Sequence, residues 1–171
     1  KMKTFDKGVE YFKQALKQQP NNFYALFGLA DCYRGMNQQN KSLIYWNRIL
    51  DHDKKNKVIL TRAGDAYRHM GDLERAESYY KHALNIEYDN YAVMGLALIN
   101  KDKGKLNEAV DTFKELINFD PKNCRFCIEC AHCYGAMGKK EQAIRVLSDY
   151  LKQGYRNTTV LNEMDRLKKG A

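Results

Sequence analysis

The chain has 171 residues, of which 44% are hydrophobic, and a formal charge of +8. That is long enough to bury a core and too apolar for disorder throughout. Two prolines and eleven glycines leave few breaks, which favours helices, and no run of about 18 apolar residues offers a membrane span.

In chain order, Lys1 is neither an initiator Met nor the start of a signal peptide, so the sequence reads as a piece of a longer chain that extends N-terminally. Residues 1–22 carry Phe5, Gly8, Phe12, Ala15 and Leu16 on one helical face ahead of Pro20. Residues 57–90 then read as a complete helical hairpin. Ala63, Gly64, Ala76 and Ala83 let two helices approach closely, while Tyr67 and Tyr80 fill the gap. Gly71 supplies the left-handed residue that reverses the chain.

That hairpin repeats at steps of 33 or 34 residues. Its turn residue recurs as Asn37, Gly71, Gly104 and Gly138. Five places later comes a small residue: Ser42, Ala76, Ala109 and Ala143. Four further on comes a large apolar one: Trp46, Tyr80, Phe113 and Leu147. Four before the turn stand Tyr33, Tyr67 and Tyr134, with Asn100 the exception. Pro20 and Pro121 keep the same register.

These columns resemble the tetratricopeptide repeat, a 34-residue helix–turn–helix unit with the pattern W-x2-L-G-x2-Y…A-x3-F…P. The resemblance covers nearly the whole chain. It divides it into a second helix without its partner (1–22), four full repeats (23–56, 57–89, 90–123, 124–157) and a capping helix with tail (158–171). Thr158 and Thr159 are suited to cap that last helix, and Val160, Leu161, Met164 and Leu167 form its apolar stripe. The large residue of each first helix is Leu26, Leu60, Val93 or Cys127 and never Trp, and the family glycine survives only as Gly64. Ala30, Ala97 and Ala131 replace it elsewhere and stay small.

The resemblance implies an all-α, right-handed superhelical solenoid of antiparallel helix pairs whose first helices line a concave groove that binds a protein or peptide segment. On the family pattern the groove residues are Tyr24, Phe27, Asp31 and Arg34, then Thr61, Arg62, Asp65, Arg68 and His69. Tyr91, Met94, Leu98 and Lys101 follow, and after them Arg125, Ile128, Glu129 and His132. The clamp that holds the acidic C-terminal tail of heat-shock chaperones needs Lys and Asn in slots that here hold Phe27/Asp31, Thr61/Asp65, Met94/Leu98 and Ile128/His132. An aspartate facing a carboxylate repels it, so that ligand is rejected.

The groove calls instead for an apolar-rich ligand, through Tyr24, Phe27, Tyr91, Met94, Leu98 and Ile128. Against this stands a packing role for Phe27 and Met94 between helices. Asp31/Arg34 and Asp65/Arg68 repeat one i,i+3 spacing and read as a solvated ladder. In the alternative, Arg62, Arg68 and Lys101 form a positive centre for an acidic residue of the ligand. Two other readings stay open. One is a basic surface for nucleic acid or acidic partners, disfavoured because the charge is dispersed. The other is self-association through a Phe5/Phe12 end.

Cys124, Cys127, Cys130 and Cys133 form a C-x2-C-x2-C-x2-C run similar to a ferredoxin cluster motif, but the spacing differs and its proline is missing. On an intact helix, steps of three turn by about −60°, so Cys124 and Cys133 fall on opposite sides and one metal cannot collect all four. The register makes Cys127 and Cys130 core residues, with Cys133 and Cys32 in a small-residue slot; the reading is structural thiols and no metal. Five reduced cysteines suit a reducing cytoplasm. His52, His69, His82 and His132 are scattered, no glycine-rich phosphate loop is present, and no catalytic constellation or cofactor motif emerges.

Overall fold

The computed structural model describes residues 2–169, with side chains from Thr4 onward; Lys1 and residues 170–171, at the ends of the two terminal segments, lie outside it. The described residues form α-helices and no strand. The chain divides into two compact units, one running to Gly95 and the other starting at Leu96.

The first unit holds α1 (Met2–Gln18), α2 (Phe23–Gly35), α3 (Gln39–His52), α4 (Lys57–His69), α5 (Leu73–Ile86) and the beginning of α6 (Asn90–Asp102). The second holds the rest of α6 with α7 (Leu106–Phe119), α8 (Cys124–Ala136), α9 (Lys140–Lys152) and α10 (Thr158–Lys169). Within the first unit α1 packs on α2, α2 on α3, α3 on α4 and α4 on α5. Within the second, α8 packs on both α7 and α9, and α10 rests mainly on α9.

Each hairpin is closed by the same backbone geometry. Asn37, Gly71, Gly104 and Gly138 have φ of 59°, 82°, 76° and 71°, the left-handed region in which a side chain is costly. The following amide reaches back to a carbonyl in the last turn of the preceding helix: Gln38 to Tyr33, Asp72 to Tyr67, Lys105 to Asn100, Lys139 to Tyr134. This satisfies carbonyls that a helix end otherwise leaves unpaired. Asn100 breaks the tyrosine column without harm, because the turn uses its backbone oxygen. Tyr33 and Tyr67 do more with their rings, stacking on Tyr45 and Tyr79 at centroid distances of 5.7 and 5.2 Å.

Helix starts are capped by asparagine. The side chains of Asn22, Asn56 and Asn123 accept from the amides of Ala25, Ile59 and Arg125. Asn157 does the same for Thr159 and Val160 at the head of α10, so the threonines expected to cap this helix lie inside it. The reason is register: Asn157 is the 34-residue successor of Asn123, and its carboxamide already fills the cap position.

Two columns of the second helices are fully buried in the core, beside first-helix residues such as Leu26, Leu29, Ile59 and Phe126. Trp46, Tyr80, Phe113 and Leu147 are all 0% exposed, and so are Ser42, Ala76, Ala109 and Ala143. Ser42 is tolerated among alanines because its hydroxyl donates to the Ala30 carbonyl at 2.9 Å. Bulk is accommodated by removing side chains opposite it. A Cβ on Gly64 would stand 2.8 Å from the Tyr80 ring, and one on Gly95 would overlap the same ring. Phe12 occupies the corresponding space beside Gly28, and Phe5 that beside Gly35. Phe5 and Phe12 therefore face α2 and are half-buried, while Tyr11 of α1 is 70% exposed.

Gly95→Ala is expected to cost about 1–3 kcal/mol, since the Tyr80 ring is wholly buried and cannot retreat. Urea denaturation followed by circular dichroism checks it, with Gly135→Ala, where a Cβ meets nothing, as the near-neutral comparison.

Candidate functional site

The first helices present their side chains in columns, and in the first unit the column with the greatest exposure is the second position. Tyr24 of α2 is 80% exposed, Val58 of α4 48% and Tyr91 of α6 54%. Val58 is absent from the groove residues that the family pattern implies, because the column there begins at Thr61. The signal was present, since Val58 is 34 residues after Tyr24. Phe23, next to Tyr24, is 42% exposed and meets its ring edge-on at 5.6 Å.

Other apolar residues expected on the groove wall go inward. Met94 and Leu98 are 2% and 4% exposed, so they serve the core and are withdrawn as contact residues. Phe27 is half-buried, with its ring edge-on to Trp46 at 5.1 Å. The packing role weighed for Phe27 is thus the one its surroundings support, although against its own second helix. Thr61 is buried and donates to Asp89 at 3.1 Å. Ile128 remains half-buried and Arg125 exposed.

Charged residues fall into two different patterns. In the first unit, Arg34 donates to Asp31 at 3.0 Å along the surface of α2. Asp65 accepts from the Tyr80 hydroxyl at 2.7 Å, so it holds the core tyrosine as well as lining the face. Burial, followed by the charge of Asp65, pushes the Tyr80 phenol well above its usual value and keeps it a donor. Arg68 also lies by this phenol and lowers that value somewhat. His69 is exposed, and Arg62 is half-buried with no hydrogen bond or ion pair among the described residues.

In the second unit the same face is a closed network. Lys101 of α6 meets Glu129 of α8 at 2.8 Å. His132 lies 3.7 Å from Glu129 through Nδ1 and 3.1 Å from Glu163 of α10 through Nε2. Glu163 in turn holds Arg166 at 2.6 Å. Burial pushes the Glu129 carboxyl up, but the hydrogen bonds from His132 and Lys101 outweigh it and bring the group down to about 2. Glu163 is likewise lowered, first by Arg166 and then by His132. Lys101 and His132, both expected to face a ligand, are therefore engaged with carboxylates of this chain.

Four of the cysteines line α8. Cys127, Cys130 and Cys133 are buried and Cys124 is half-buried. Desolvation pushes the Cys127 and Cys130 thiols up to about 12, which keeps them protonated and unreactive near neutrality. Cys124 accepts from the Asn157 carboxamide at 3.3 Å, while the Cys127 thiol donates to the Cys124 carbonyl at 3.0 Å. No group of three or more metal-binding side chains assembles among the described residues. Among them, too, no helix is long and apolar enough to cross a membrane.

Sequence profiles of the tetratricopeptide repeat match residues 11–43, 59–90 and 92–123. No curated protein matches the chain. Several solved structures do. A tetratricopeptide repeat protein from Parabacteroides merdae is 21% identical with a TM-score of 0.86 over 96% of this chain, which spans 65% of that protein. A thermophilic protein of the same type from Thermus thermophilus is 19% identical, with a TM-score of 0.80 over 95% of this chain and 90% of its own. YrrB, described as having an unusual peptide-binding site, is 16% identical with a TM-score of 0.61, over 88% of this chain and 78% of its own. At these identities the likeness is one of fold.

Glu129→Gln is expected to destabilise the chain by about 1.5–3 kcal/mol at pH 7, the worth of hydrogen bonds to a charged group. Because the folded-state value of Glu129 is depressed, its contribution is present above the ordinary carboxylate range and fades as pH falls toward about 2. Urea melts at neutral and acid pH check this, and the gap between wild type and variant closes at the acid end.

Proposed function

The chain belongs to the tetratricopeptide repeat family, and from that premise we propose that the first-helix face of its first unit binds an apolar segment of a partner protein. Tetratricopeptide arrays are in general non-catalytic scaffolds for protein interaction, and the all-α helical repeat of this chain fits that role. What carries the more specific reading is the exposed column of Tyr24, Val58 and Tyr91. Three consecutive first helices each spend the same position on a large apolar side chain that contributes little to the core. A row of this kind offers rigid contact area at low entropic cost, most of all through its two tyrosines.

The bound segment lies over these helices, with its apolar side chains against Tyr24, Val58 and Tyr91. Asp31, Arg34, Arg62, Asp65, Arg68 and His69 stand further along the same helices and read its polar groups. A neighbouring fold with a peptide-binding site, YrrB, supports the class of ligand without naming it. Division of labour between the two units follows from their electrostatics: the network Lys101–Glu129–His132–Glu163–Arg166 is satisfied internally and gains little from a ligand.

Replacing Tyr24 and Tyr91 together with Ala is expected to weaken capture of a saturable protein partner by at least tenfold, since interface aromatics cost upward of about 1–2 kcal/mol when truncated. Helicity and the urea midpoint should hardly move, because both side chains are mostly exposed. Pull-down of wild type beside the double variant measures it; retention of every saturable partner by the double variant sinks the reading.

A further inference from the structure

The two units treat one slot of the repeat in opposite ways. In the second unit the sixth position of a first helix is acidic, Glu129 in α8 and Glu163 in α10. Each is paired with a basic residue of an earlier helix: Glu129 with Lys101, 28 residues upstream, and Glu163 with His132, 31 residues upstream. In α4 the sixth position is Arg62. Its upstream counterparts by the same two steps are Arg34 and Asp31. The slots that elsewhere hold acid and base in balance therefore hold two guanidiniums and one carboxylate.

Asp31 is already spent on Arg34, at 3.0 Å, and Arg62 has no acid of its own among the described residues. The neighbouring Asp65 is occupied by the Tyr80 hydroxyl. Neither member of the Asp31–Arg34 pair is closed off, since their side chains are 35% and 40% exposed.

We propose that Arg34 and Arg62 together receive one carboxylate side chain, an Asp or Glu of the segment bound on this face. It completes the charge balance that Glu129 supplies within the chain in the second unit. The inference rests on the peptide-binding reading given above and adds the chemistry of the segment. Position along the helices sets the spacing. Arg62 lies one turn from Val58, about 6 Å along the axis, and Arg34 lies about 15 Å from Tyr24. An extended segment rising about 3.3 Å per residue covers those distances in about two to five residues. The segment accordingly places its acid about two to five residues from a large apolar side chain. A polyanion such as nucleic acid fits worse, because the exposed column beside the two arginines is apolar and offers its successive phosphates no cation.

The test uses an array of dodecapeptides in a Gly/Ser background, each with one Leu and one Asp at varied separation, beside the same peptides with Asn for Asp and an oligouridylate of similar length. Wild type should prefer Asp over Asn most strongly at separations of about two to five. Arg62→Glu should abolish that preference, about tenfold or more, while raising or preserving thermal stability, since it installs the residue type that pairs in the second unit. Arg145→Glu, the same charge change on the exposed side of α9, should leave the preference intact. Equal binding of Asp and Asn peptides overturns the inference, and so does an Arg62→Glu variant that binds Asp peptides normally or fails to fold. Tighter binding of the oligouridylate, lost in Arg62→Glu, overturns it in favour of nucleic acid. If binding depends on Tyr24 and Tyr91 but not on Arg34 or Arg62, the face remains a peptide site and only the carboxylate assignment falls.

Discussion

A buried ring pressed against two glycines sets the geometry of the first unit. Tyr80 lies wholly out of solvent, with Gly64 on one side and Gly95 on the other, and neither position has room for a Cβ. Bulk on the second helix and absence of bulk on the first helices are one constraint seen from two sides. Phe12 beside Gly28 and Phe5 beside Gly35 extend the same arrangement to α1. Because interiors are close-packed, the spacing of the first helices, and with it the spacing of whatever they display, is inherited from these contacts.

The Tyr80 hydroxyl ties that constraint to the surface of the first helices. A phenol buried at this depth needs an acceptor, since an unsatisfied one costs about 1–3 kcal/mol. Asp65 provides it from the first-helix surface. An aspartate that seemed available to a ligand is thereby partly committed to the core, and the positive character of Arg62 and Arg34 is left less opposed. Architecture and recognition are not separable at this residue.

The two units use the same repeat to different ends. Around Glu129 and His132 the first helices are joined to one another by charge, at an acid strong enough that Glu129 stays ionised down to about pH 2. Around Arg62 the corresponding slots are unbalanced, and beside them stands a column of exposed apolar side chains. A surface satisfied by its own residues stabilises the fold. A surface left unsatisfied is where a partner gains most.

The repeat was legible in the amino-acid order because its columns answer to local rules. A left-handed residue must be Gly or Asn, as at Asn37 and Gly71, and the residues opposite Trp46 or Tyr80 must be small. Even so, the cap of α10 belongs to Asn157, 34 residues after Asn123, and not to Thr158 or Thr159, because the repeat register outweighs the local preference of a hydroxyl for a cap. The site was less legible. Tyr24 and Tyr91 occupy exposed positions, but Met94 and Leu98 in the same helix go to the core, and Val58 was overlooked. Side-chain type alone does not say which way a helical position faces when the helix is covered on more than one side. Sequence thus determined the period, the turns and the packing columns, all of which depend on neighbours a few residues away. Only the tertiary structure decided that Lys101 and His132 are taken by Glu129 and Glu163 while Arg62 is not, because those partners are supplied from helices about thirty residues distant.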